Sequence, residues 1–294
     1  MDLAKGRDFE GVRGAYVSCS VAEVGEVADY LREADIYHVA IELYTWLLSR
    51  QETGEAHFGI GQCHGKVYDY DTAVIHLGRA FELDAGRSEG ASYYAYILER
   101  LGRLDEAAPW YERALAGADS EDLWARSHHA WFLEKWSKPD EAIAAFQDVL
   151  ERNPGYTWAV KRYALLLRGL GRDTDAEVVI AGAVERDPAS LFARLNLLEY
   201  RLIAEDGAGY VQVRGTVVPT AGPPWHAVVV ELFDLCREVL LPRALDVDRI
   251  ASWEASAQAL TDSVHRDFDD LTDLLSARGA DVATWRRLIG LLLK

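Results

Sequence analysis

Alanine stands at Ala40, Ala73, Ala107, Ala142 and Ala176, at steps of 33, 34, 35 and 34 residues, and no other feature limits the fold as tightly. Twelve residues before each of them is another small residue: Ala28, Gly61, Ala95, Ala130 and Ala164. Four residues after each is a bulky apolar one: Tyr44, Leu77, Tyr111, Phe146 and Ile180. Small residues let two helices approach closely, and the bulky residue fills the space between one hairpin and the next. Each period therefore predicts a pair of antiparallel helices, stacked on its neighbours to bury a core that no single pair could bury alone.

At these positions the chain resembles the tetratricopeptide repeat (TPR) family. That family's 34-residue pattern has a small residue at position 8, Ala at 20, an aromatic or apolar residue at 24 and Pro at 32. The fourth repeat carries Ala130, Ala142, Phe146 and Pro154, and the fifth carries Ala164, Ala176, Ile180 and Pro188. Gly102 and Gly171 lie in the turns before second helices. The chain departs from the pattern where His57, Ala91 and Arg126 replace the large aromatic at position 4, and where His64 and His129 occupy positions that are usually apolar. The resemblance implies an all-α, TPR-type α-solenoid, a right-handed superhelix of helix hairpins, closed by a C-terminal helical cap. The expected organisation is an N-terminal segment, 1–20; an array of five repeats plus a sixth first helix without its partner, 21–204; a Gly/Pro-rich loop with room for a β-hairpin, 205–226; and the cap, 227–294. The loop follows from breakers including Gly207, Gly209, Gly215 and Pro219, which frame the β-rich Tyr210-Val211-Gln212-Val213. His129 is expected in the core against Tyr94 and Tyr163.

Composition excludes several functions. The 294-residue chain is 50% hydrophobic, enough for a large core. It shows no apolar run after its first charges, and no stretch of about 20 apolar residues that would cross a membrane. Three scattered cysteines, Cys19, Cys63 and Cys236, argue against a disulfide framework and for a reducing, cytoplasmic compartment. A net charge of −17 opposes sequence-independent binding to nucleic acid, which needs clustered Lys and Arg.

In the resembled family, positions 2, 5, 6, 9, 12 and 13 of the first helices face a concave groove. Applied here, that rule predicts an aromatic floor of Tyr93, Tyr96, Trp124, Trp131 and Trp158 with His128 beside it. It also predicts a basic corner of Lys161, Arg162 and Arg168. Large aromatics at solvent-facing positions are typical anchors, and arginine beside them suits a carboxylate or phosphate. Two alternatives stay open: the tryptophans pack between hairpins, or the C-terminal helices fold back into the groove. The Lys and Asn residues with which some family members clamp a peptide's terminal carboxylate are absent, since positions 5 and 9 read Phe58 and Gln62, Ser92 and Tyr96, then Ser127 and Trp131.

No catalytic constellation stands out. His57, Cys63 and His64 lack a fourth zinc ligand at suitable spacing, and Asp267 to Asp270 lacks the glycine and glutamate of a calcium loop. The expectation is an interaction module, without cofactor or metal, that takes a protein or peptide segment with an acidic or carboxylate-bearing part. Homo-oligomerisation stays open. The competing expectations are a ligand-sensing regulator and an enzyme with its site between the 207–226 loop, His226 and the C-terminal helices.

Overall fold

The computed structural model describes residues 19–117, 122–218, 222–240, 247–260 and 268–292. All its regular elements among these are α-helices. The N-terminal segment expected at 1–20 lies outside them except for Cys19 and Ser20. Contacts divide the chain into two compact units, residues 1–145 and 146–294.

The first unit holds α1 (Val21–Glu33), α2 (Tyr37–Arg50), α3 (Gly54–Lys66), α4 (Tyr70–Leu83), α5 (Ala91–Arg100), α6 (Leu104–Ala116) and α7 (Leu123–Lys135), with the start of α8 (Pro139–Arg152). Helices adjacent in sequence pack as hairpins, and α1 also touches α3 as α5 touches α7. Local chemistry starts several of the first helices. Ser20 and Glu23 form a reciprocal capping box on α1, while the side chains of Thr53 and Asp122 cap α3 and α7. Ala28, Ala40, Ala73, Ala95, Ala107, Ala130 and Ala142 are fully buried, as the alanine period requires. Gly61 has the Leu77 side chain where a Cβ would stand, 2.6 Å away, so that crossing tolerates nothing larger.

One device recurs at the end of every first helix and sharpens the period. Asp35, Tyr68, Gly102, Ser137, Gly171 and Glu205 all have φ between 55° and 73°. Around each, the next residue's N–H reaches back to a carbonyl in the helix's last turn, as in Ile36 to Leu31 at 2.8 Å and Asp206 to Arg201 at 3.0 Å. This is the left-handed C-terminal cap that turns the chain into the second helix. Glycine occupies it in only two of six repeats.

The second unit continues with α9 (Thr157–Gly169), α10 (Asp173–Arg186), α11 (Leu191–Ile203), α12 (Gly207–Thr216), α13 (Pro224–Leu240), α14 (Val247–Gln258), α15 (Asp269–Ala277) and α16 (Val282–Gly290). Two expectations are corrected here. Residues 207–216 form a helix rather than a loop or hairpin, and α12 is the partner that the sixth first helix, α11, was expected to lack. Glycines and β-branched residues disfavour that helix locally, but tertiary contacts outweigh propensity. Asp206 caps it through Gly209 N–H, and Tyr210 is buried with its hydroxyl donating to Asp234 at 2.8 Å. Arg214 donates to the same carboxylate.

The C-terminal helices share one core with α11: Leu195, Leu198 and Leu202 meet Phe233 of α13, Trp253 of α14, Leu271 and Leu275 of α15, and Trp285 of α16.

Candidate functional site

In the first unit the first helices α1, α3, α5 and α7 line a cavity of about 520 Å³. Arg32 and Glu33 come from the end of α1, Asp35 from the turn after it and Tyr37 from the start of α2. Phe58, Gln62 and Lys66 come from α3, Ser92 and Tyr93 from α5, and Trp124 from α7. These side chains from the helices fall on the register positions that the resemblance points into a groove.

Several contacts hold the walls. Phe58 is nearly buried because Gly90, at φ +75°, leaves room for its ring: a Cβ there would lie 2.1 Å from the ring. Arg87 lies over the same ring at 4.2 Å. Tyr93 donates its hydroxyl to the Gln62 carbonyl at 3.3 Å, and burial raises its pKa, so the phenol stays a donor. Arg32 is committed to neighbours, donating to Tyr44 at 3.2 Å and to Asp29 and Glu33 at 3.5 Å.

The structure separates the predicted aromatic floor into parts. Tyr93 and Trp124 line the cavity, while Tyr96 stands behind them, half-buried, 5.9 Å from the Trp124 ring. His128 and Trp131, expected to face the groove, are buried: His128 packs between Trp124 at 4.1 Å and Tyr96 at 5.3 Å. Trp131 carries Lys135 over its ring at 3.6 Å, and Lys135 in turn pairs with the fully buried Glu99 at 2.8 Å. The physical reason is that a ring on a first helix can be covered by rings and long side chains of its own and the preceding first helix, as His128 is by Trp124 and Tyr96. At these two positions packing takes the ring. His129 rests against Tyr111 and Phe132, not Tyr94, and burial pushes its pKa down to about 4.

The basic corner is also corrected. Lys161 and Arg162 are 3% and 6% exposed, and carboxylates of the same chain already neutralise them. Arg162 donates to Asp270 of α15 at 2.6 Å, and Lys161 lies 3.4 Å from Glu199 of α11 and 3.8 Å from Asp270. Arg168 pairs with Asp173 at 3.2 Å. Trp158, also in the second unit, is half-buried. The cap helices thus occupy the face of α9 and α11 that the sequence offers to a ligand's carboxylate.

His57 and His64 pair with groups of the next helix and its cap: His57 with His76 at 3.0 Å, and His64 with Asp69 at 3.0 Å. No cluster of His, Cys, Asp and Glu among the described residues is arranged to hold a metal. Of the elements named for an enzymatic site, residues 207–216 are helical and His226 is wholly buried. Among the described residues no helix is long and apolar enough to cross a membrane. Sequence reasoning missed Arg32, Glu33, Asp35 and Lys66 as site residues. Their signal was available in the register, which places three of them at positions 12 and 13.

Stacked helix hairpins with a cavity along their first helices define a solenoid of the repeat class. Family models for the tetratricopeptide repeat match residues 68–122 and 137–196, so the chain carries tetratricopeptide repeats there. Among solved structures it is similar to YrrB, a TPR protein with an unusual peptide-binding site, at 18% identity and a TM-score of 0.51, over 64% of this chain and 96% of that one. It is also similar to MamA, at 18% identity and 0.51, over 57% of this chain and 92% of that one. A MamA chain from Desulfovibrio magneticus RS-1 aligns at 14% identity and 0.53, over 58% and 97%. At such identities the likeness bears on the fold. No curated protein sequence matches the chain.

Proposed function

We propose that the chain is a protein–protein interaction module that holds a peptide or protein segment in the cavity along α1, α3, α5 and α7. The observation that carries this is the cavity of about 520 Å³ whose walls come from four consecutive first helices. A volume of that size takes two or three side chains of a partner, in the range of pre-formed ligand sites. Tyr93 and Trp124 supply contact area at low entropic cost, since each side chain has only two rotatable angles and both are held by neighbours. The hairpins from 21 to 216 are the scaffold and the helices from 224 onward are its cap, covering the apolar face that a last repeat would otherwise expose.

An acidic segment at Lys161, Arg162 and Arg168 has no support from the geometry, because those charges are already paired. The reading is tested by selecting peptides from a displayed random library against the full chain. Selected peptides should lose about 2 kcal/mol of affinity for the Trp124→Ala variant with helical content retained. Full affinity in a folded Trp124→Ala, Tyr93→Ala double variant would place binding elsewhere.

A further inference from the structure

We propose that the segment held in this cavity is basic, presenting Lys or Arg side chains to it; this rests on the reading of the cavity as the binding site. Four carboxylates line it, Glu33, Asp35, Glu89 and Asp122, against two cations, Arg32 and Lys66. The cations offer little to an incoming anion. Arg32 already faces Tyr44, Asp29 and Glu33, which leaves the exposed Lys66 as the one lining cation with no ion pair among the described residues.

The carboxylates are anchored yet keep capacity. Asp122 accepts from Trp124 N–H at 2.8 Å with one oxygen, and Asp35 accepts from the Tyr37 hydroxyl. An ionised carboxylate has about four acceptor positions, so most remain for a ligand. Glu89 meets Arg87 only at 3.8 Å with its side chain 77% exposed, a contact that water largely screens.

Aromatic walls point the same way. Phe58, Tyr37, Tyr93 and Trp124 surround a space edged by carboxylates, and ring faces attract cations. The chain already uses one of these rings so, with Arg87 over Phe58. An acidic segment would meet like charge on most of the rim. An apolar one would strip water from carboxylates and leave them unpaired. The net charge of −17 adds long-range attraction for a basic chain.

The test uses three fluorescein-labelled nonapeptides that share two leucines and a tyrosine and differ at four positions, filled by Lys and Arg, by Ser, or by Glu. Anisotropy with the full chain should show the basic peptide binding at least about tenfold tighter than the serine one, with the glutamate one weakest. The Glu33→Lys, Glu89→Lys double variant should weaken the basic peptide by about tenfold or more. Asp71→Lys with Glu112→Lys makes the same charge change on second helices outside the cavity, and should alter binding less than about twofold. If that outer pair weakens the basic peptide equally, or if the basic peptide fails to bind at about 1 mM, the proposal is overturned. A serine or glutamate peptide that binds best and is lost on Trp124→Ala would refute the charge preference while leaving the cavity as the site. A basic peptide indifferent both to Trp124→Ala and to the cavity charge reversal would refute both.

Discussion

Asp270→Ala should be among the most damaging single substitutions in the second unit, although Asp270 lies far in sequence from the repeats it serves. Its carboxylate is 2.6 Å from Arg162 and 3.8 Å from Lys161, whose side chains are 7% and 3% exposed, while its own is 22% exposed. Glu199, fully buried, is the other anion beside Lys161. Asp270 therefore faces two buried cations in a mostly dry site. Removing it takes a carboxylate away from both. Breaking a buried pair from one side costs about 3 to 5 kcal/mol. Partial exposure of Asp270 lets water reach the gap, so we expect about 3 kcal/mol. With a urea m-value of about 2 to 3 kcal/mol/M, the midpoint of the second unit should fall by roughly 1 M. Arg162→Met with Asp270→Leu removes both charges of the closest pair and keeps Lys161 beside Glu199. That double variant should cost less than the single one. Urea unfolding followed by circular dichroism, with hydrogen exchange on α9 and α15, measures both. A cost for Asp270→Ala below about 0.5 kcal/mol, or a double variant worse than the single, would show that the pair does not hold the cap helix on the array.

Three further outcomes follow from particular residues. Ala107 is fully buried in the third hairpin, so Ala107→Leu should overpack it and cost about 1 to 3 kcal/mol in urea unfolding; a variant as stable as the parent would contradict the register. Ser137 holds φ at 57° in the left-handed cap where two other repeats have glycine, so Ser137→Gly should add about 0.5 to 1 kcal/mol, and a loss of stability would count against the cap geometry. His129 has its pKa depressed to about 4 by burial, against about 6.5 in the unfolded chain, so between these values the unfolded state binds the proton that the fold refuses. Its contribution is therefore complete above pH 6.5 and lost as pH falls toward 4, by about 1 to 3 kcal/mol. His129→Leu should flatten the parent's decline between pH 7 and pH 4.5; identical slopes would refute the assignment.

The alanine period determined the hairpins before any coordinates, because a close helix crossing accepts only a small side chain and that requirement repeats once per unit. Ala40, Ala73, Ala107, Ala142 and Ala176 are all fully buried, and so are the bulky partners Leu77, Tyr111, Phe146 and Ile180. Which groove residues meet solvent was legible only in part. The register placed Tyr93 and Trp124 on the cavity, but it treated Trp131, Lys161 and Arg162 alike, since periodicity states a direction and not what arrives from elsewhere in the chain. Trp131 meets His128 and Lys135 of its own helix, whereas Arg162 pairs with Asp270, 108 residues away. The short helix α12 shows the same division. Glycines and valines read locally as a loop, and only the shared anchor at Asp234, together with the core around Tyr210, makes a helix the lower state. Local spacing thus specifies the repeats, where each contact is between near neighbours. The cap and the open part of the groove depend on long-range burial and charge pairing, which only the tertiary structure brings together.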